Sequence, residues 1–98
     1  MNIQAMMKQA QQLQKKMLAE KKEIEGKIFE GRSSLVTVTM SGDMCVKNVS
    51  INMDELSLDD KEMLEDMVML AVNDAIGKIN KETESKMGKY TQGIPGLF

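Results

Sequence analysis

The sequence predicts an α+β protein with a long N-terminal helix, a small antiparallel sheet of about three strands and a long C-terminal helix. Apolar residues recur at helical spacing before Gly26 and again after Ser57, and the stretch between alternates apolar and polar side chains around Gly42-Asp43. The third observation is size: 98 residues fit one domain. With 42% apolar residues, only 3% aromatic ones and 11 Met, the core must be aliphatic. So short a chain leaves much of its surface uncovered, and a partner subunit is the usual remedy where disulfides and metals are missing.

From Ile3 the apolar positions run through Met6, Ala10, Leu13, Met17 and Ile24, with Glu20 the one interruption, which predicts a helix over residues 2–25. At about 1.5 Å per residue it is a rod too long for a globule of this size, and its narrow apolar stripe calls for another helix rather than the chain's own sheet. Residues 27–30 suit a short edge strand, with Gly31-Arg32-Ser33-Ser34 as the following turn. Residues 35–41 then alternate, and Gly42-Asp43 suits a two-residue type II′ hairpin loop. In that register Met40 faces Cys45, Val38 faces Lys47 and Val36 faces Val49. One face then collects Val36, Val38, Met40, Cys45, Val49 and Ile51 as the buried side, with Lys47 out of place.

Ser57-Leu58-Asp59-Asp60 reads as the capping box of a second helix. Met67, Val68, Met69, Leu70, Ala71 and Val72 make it apolar on every side, and Ala75, Ile76 and Ile79 extend one stripe, so a sheet beneath and a partner above are expected. The turns after Ile79 are polar all round and should project into solvent, with Glu82 placed to pair with Lys86. The domain is expected over residues 1–87, with residues 88–98 as a flexible tail.

Composition removes most enzyme classes. There is no His and a single Cys, which excludes His-dependent triads, zinc-ligand sets and an internal disulfide. The acidic run Asp54, Glu55, Asp59, Asp60 and Glu62 lacks the ligand spacing of a calcium loop and is better explained by helix capping. Cys45 on a buried face would act as a small apolar group. No apolar stretch is long enough to span a membrane, and the N-terminus has no leader pattern, so a cytoplasmic protein is expected.

Charge distribution is more informative than the net value of -2. Residues 1–25 carry five Lys against three Glu, whereas residues 43–66 carry eight acids against Lys47 and Lys61. Lys8, Lys15 and Lys22 are spaced by seven on the face opposite the apolar seam, flanked by Lys16 and Lys21. Such a row suits a DNA backbone, and it equally suits the solvated outer face of any packed helix. A second group, Lys78, Lys81, Lys86 and Lys89, lies near the C-terminus, where cations also complement the helix dipole. With little aromatic residue to stack on bases, a nucleic-acid partner would be duplex DNA held through phosphates. A different class of function is a protein-interaction module using exposed Met6, Met7 and Met17.

The order of these elements and several stretches of sequence resemble the YbaB/EbfC family of bacterial nucleoid-associated proteins. They are Met7-Lys8-Gln9-Ala10-Gln11-Gln12-Leu13-Gln14-Lys15-Lys16-Met17, Leu35-Val36-Thr37-Val38-Thr39-Met40-Ser41-Gly42, residues 46–51, Asp60-Lys61-Glu62-Met63-Leu64-Glu65-Asp66 and Asn73-Asp74-Ala75. The resemblance implies an intertwined, tweezer-like homodimer whose strands and second helices pack together while helices protrude. Met67, Val68, Leu70, Ala71, Val72, Ala75, Val36 and Val38 are the interface residues this suggests. It also implies DNA binding in nucleoid organisation or gene regulation, with no enzymatic activity and no cofactor or metal. The implied DNA contacts carry over to Lys8, Lys15 and Lys16, which lie in matching sequence; Lys22, Lys78, Lys81 and Lys86 are added from charge alone. Expected partners are therefore duplex DNA and a second copy of the chain, without membrane or small-molecule substrate, and the expected location is the nucleoid.

Overall fold

The computed structural model describes the backbone of residues 2–93 and the side chains of residues 2–90. Its elements are α1 (Ile3–Gly26), β1 (Ile28–Ser33), β2 (Val36–Ser41), β3 (Cys45–Ile51), a 3-10 turn (Leu58–Asp60) and α2 (Lys61–Gly93). Helix, three-stranded antiparallel sheet and helix thus follow in the predicted order. The Asn2 side chain starts α1 by accepting the Gln4 amide at 3.1 Å. The helix stops after Gly26, where Lys27 turns extended and donates its amide to the Ile24 carbonyl at 3.0 Å.

The sheet runs β1-β2-β3, and α2 packs across β1 and β2. Between these layers Val36, Val38 and Met40 are buried against Ala71, Ala75 and Ile79. Small residues set the separation of the layers. Gly31 faces α2 so closely that a Cβ there would run into the Ala71 carbonyl oxygen and the Ala75 amide nitrogen. Gly31 is therefore a strand residue selected by a close approach, where the sequence suggested a turn. The turn itself is Ser34-Leu35, flanked by the Ser33–Val36 pair, with Ser34 at φ 49°.

The second hairpin also departs from expectation. Its loop has three residues, 42–44, closed by the Met44 amide donating to the Ser41 carbonyl at 2.9 Å, with Met44 at φ 67°. A turn followed by one left-handed residue is the common solution for this loop length. Val36 pairs with Ile51, Val38 with Val49 and Met40 with Val46, so a bulge leaves Lys47 without an opposite residue. That extra residue is why strict alternation put Lys47 on the apolar face. Cys45, expected to be buried opposite Met40, is exposed: it pairs with Ser41 while Val46 takes the place opposite Met40, and β3 is exposed along its whole length.

α2 continues through Gly88 to Gly93, beyond the end expected near residue 87. Met87 and Tyr90 turn inward to form a cluster with Ile24, joined by Leu13 and Met17. The turns expected to stand in solvent are thus covered on one side by α1, and the α1 seam finds its helical partner within its own chain. Residues 94–98, the rest of the expected tail, lie outside the described residues. The chain measures 71 × 21 × 14 Å with a radius of gyration of 19.5 Å, against about 13 Å for a compact chain of this length. It is a small body from which the α1–α2 pair extends as an arm.

Gly31→Ala should lower stability by about 3 kcal/mol, since backbone on both sides leaves its methyl nowhere to go. Urea denaturation of the purified variant measures this; an unchanged midpoint would mean that α2 does not sit so close to β1.

Candidate nucleic-acid interface

The arm carries the basic residues singled out in the sequence. Leu13, Met17 and Ile24 turn α1 toward α2, which leaves Lys8, Lys15, Lys16, Lys21 and Lys22 exposed, none of them in an ion pair among the described residues. On α2, exposed Lys81 and half-buried Lys86 also make no ion pair among the described residues, although the Lys86 charge helps to lower the Glu20 carboxyl. Lys21 was noted in the sequence only as flanking the seam, yet it stands as free as its neighbours.

Lysines nearer the body are engaged. Lys78 contacts Asp74 at 3.5 Å and donates to the Glu30 carbonyl at 2.7 Å, which ties α2 to β1. The Arg32 amide donates to the same Asp74 carboxylate at 2.9 Å and, with Lys78 adding to it, holds that carboxyl below its ordinary range despite some desolvation. Lys27 reaches Glu82 at 3.4 Å, so Glu82 bridges two elements and does not pair with Lys86 as its spacing suggested. Arg32, the one arginine of the chain, is bound to Glu30 at 2.9 Å.

Within the arm, Glu20 interrupts the apolar seam for a structural reason. Its Oε1 accepts from Lys89 at 2.7 Å across the α1–α2 junction, and Lys89 also lies 5.2 Å from the centre of the buried Tyr90 ring. The Lys89 ammonium holds the Glu20 carboxyl below its usual range, outweighing desolvation, and Glu20 raises Lys89 in return. Burial pushes the Tyr90 phenol up. An ion pair at this point fixes the rotation of α1 about α2, and so the direction in which the lysine row faces.

Of the residues suggested for a subunit interface, Val36, Val38, Ala71 and Ala75 are already covered inside the protomer by its own helix–sheet contact. Met67, Val68 and Val72 pack at the margin of that contact, whereas Leu70 is exposed. Apolar side chains left exposed on the body include Leu70 and Met69 on α2 and Val46, Val49 and Ile51 on β3. Sequence alternation placed Val49 and Ile51 on the right face but could not show that α2 stops short of it. Met6 and Met7 are exposed as expected, while Met17 is packed against the arm cluster. No group of three His, Cys, Asp or Glu able to hold a metal occurs among the described residues, and no described helix is long and apolar enough to cross a membrane.

Comparison with known proteins gives this arm a context. The model of the YbaB/EbfC DNA-binding family matches residues 1–94. The chain belongs to that family. Its relatives include a nucleoid-associated protein of Lactococcus lactis subsp. cremoris (strain MG1363), 52% identical over 97 residues that cover 97% of this chain and 98% of that one. A nucleoid-associated protein of Enterococcus faecalis (strain ATCC 700802 / V583) is 46% identical over 98% of this chain and 94% of its own length. The crystal structure of an uncharacterized Helicobacter pylori protein, HP0035, shares the fold, with a TM-score of 0.75 over 92% of this chain and 97% of that one, at 20% identity. The family is one of DNA-binding proteins.

The Glu20–Lys89 contact has a defined pH dependence. Because the folded carboxyl titrates below its unfolded value, its contribution is present above that value and lost as pH falls through the folded one. Glu20→Gln should melt below the parent protein at neutral pH, and the two melting temperatures should converge in acid below the ordinary carboxylate range. Parallel melting curves at all pH values would mean that the contact contributes nothing to the arm.

Proposed function

We propose that the protein acts as a homodimer that binds duplex DNA through its phosphate backbone and serves nucleoid organisation or gene regulation in the cytoplasm. The observation that carries this reading is the row of unpaired lysines, Lys8, Lys15, Lys16 and Lys22, along an arm that projects from the body of a DNA-binding family member. Lys81 and Lys86 on α2 add to the same arm. Lys78 is a weaker contributor, since Asp74 and the Glu30 carbonyl already occupy its ammonium. Ammonium groups on a long rod can follow phosphates and release their counterions without reading bases. Arg32, the residue best suited to bidentate base contacts, is tied to Glu30, which favours low sequence preference.

The homodimer is supported by what one protomer leaves uncovered. Val46, Val49 and Ile51 continue the face that α2 buries on β2, and they remain 47%, 44% and 41% exposed. β3 is an edge strand with one side of its backbone unpaired. A second copy placed there would cover the strand together with Met69 and Leu70, and would double the lysine rows on one particle. A protein partner is the second reading, favoured by the exposed Ile3, Met6 and Met7 near the tip of the arm.

Replacing Lys8, Lys15 and Lys22 by Glu should abolish the gel shift of a duplex while sedimentation still reports the parent assembly; full binding by that variant removes the lysine row from the interface. For the parent protein the logarithm of affinity should fall against the logarithm of salt by about 0.9 for each phosphate neutralised. A response flat in salt would favour the protein partner, as would partners kept on a lysate pull-down after nuclease treatment. Val49→Asp should shift the assembly to monomer, and a dimer undiminished by it would place the interface elsewhere.

A further inference from the structure

The turn that precedes α2 holds a leucine away from the rest of its own chain. Leu58 is 93% exposed and Leu56, two residues earlier, is 57% exposed. This is not a frayed segment. The Ser57 amide donates to Asp60 Oδ2 at 3.0 Å, the Ser57 hydroxyl lies 3.2 Å from the same oxygen, and the Asp60 amide returns to the Ser57 carbonyl at 3.1 Å. The capped turn holds a large aliphatic side chain in water, where a second surface can reach it without disturbing the fold. Immediately beyond it, the first two turns of α2 form a shallow groove open to solvent, with Lys61 and Glu65 at its rim and, as its floor, the outer sides of Leu64 and Val68, which are half-buried against Val36, Val38 and Ala71. Projection and groove lie at the same end of one chain without filling each other.

We propose that Leu58 of one protomer enters the Leu64–Val68 groove of a second copy, reciprocally, so that each turn clasps the start of the other α2. A two-fold contact requires one surface to complement itself, and an apolar projection beside an apolar groove meets that condition. Charge agrees with it. Asp59 stands next to Leu58 and exposed, while Lys61 on the groove rim reaches its neighbour Glu65 only at 4.0 Å with 76% of its side chain exposed. In the reciprocal arrangement Asp59 of each protomer faces Lys61 of the other. The chain runs from the exposed Ile51 at the end of β3 through exposed Leu56 to Leu58. The inference rests on the homodimer reading and adds to it a second point of attachment, at the end of the molecule opposite the lysine arm.

Leu58→Asp is a clean test because the side chain touches little of its own protomer, so folding is not at risk. Sedimentation equilibrium should show the dimer dissociation constant raised by roughly thirtyfold or more, with helical circular dichroism unchanged. Asp59→Lys should weaken the dimer, and Asp59→Lys combined with Lys61→Glu should recover part of the loss. In a Cys45→Ser background, Leu58→Cys together with Val68→Cys should oxidise to a covalent dimer on a non-reducing gel, and neither single cysteine should do so as readily. A parent dimer that Leu58→Asp leaves intact, with no such cross-link, would overturn the clasp while leaving the homodimer standing. A parent protein that is monomeric at micromolar concentration would overturn both. Because Leu64 also packs within its own protomer, Leu64→Asp should lower the melting temperature and weaken the dimer together; loss of melting temperature with the dimer undiminished would also overturn the clasp.

Discussion

A mismatch of lengths governs this structure. α2 has 33 residues and a span of about 50 Å, whereas the strands beneath it have six or seven residues and span about 20 Å. The sheet can cover only the middle of the helix, where Ala71, Ala75 and Ile79 meet Val36, Val38 and Met40 and where Gly31 admits the helix backbone. Both ends must overhang. At the C-terminal end α1 supplies the missing cover through Ile24, Met17 and Leu13, and an arm results. At the N-terminal end the edge of the sheet supplies it only in part: Leu64 and Val68 are half-buried against Val36, Val38 and Ala71, and their outer sides line an open groove.

The same geometry sorts the charges. Near the body, where three elements converge, acids and bases find each other: Asp74 with Lys78 and the Arg32 amide, Glu82 with Lys27, Glu30 with Arg32. Along the arm only two helices run side by side, each with an outer face that meets nothing. On α1 five lysines outnumber Glu20, Glu23 and Glu25, and Glu20 is engaged with Lys89 at the junction. Basic charge therefore remains available where the molecule is thinnest and reaches furthest, and the large acidic surplus of residues 54–66 stays at the opposite end. A polyanion approaching such a molecule meets attraction at the arm and repulsion at the base, which orients it before contact.

Much of this was legible in the chain. Both helices, their seams and the second hairpin follow from periodicity, because side-chain spacing records which face is buried wherever a single neighbour does the burying. The failures share a cause: they occur where tertiary proximity overrode a local signal. Gly31 reads as a turn because glycine permits turns, yet it sits in a strand because α2 needs room. Gly88 reads as a stop, yet the helix continues because Met87 and Tyr90 on either side are anchored to α1. Lys47 breaks the alternation because a bulge, invisible to a strict two-residue period, removes it from the ladder. Cys45 reads as buried because a two-residue loop would set it opposite Met40, whereas the three-residue loop sets it opposite Ser41 and leaves Val46 to face Met40. For the lysines, sequence gave position on the helix but not pairing, and only the folded chain separates free Lys15 and Lys22 from Lys78, Lys27 and Lys89.

The two overhangs bear on one another through the rigid helix that joins them. An arm contributes usefully to phosphate binding only if its lysine row is held at a fixed angle to a second row, because independent rows lose the advantage of shared attachment. Within a protomer that angle is set by Glu20–Lys89 and the Tyr90 cluster, which lock α1 to α2. Between protomers it would be set wherever the two α2 helices are held, and a single contact along β3 allows rotation about the strand axis. A second contact at the start of α2, far from the arm tip, removes that freedom with the longest lever the molecule offers. In the proposed dimer the length of α2 would link the subunit contact at one end to the spacing of the basic rows at the other, so a looser base should weaken binding to DNA even with every lysine in place.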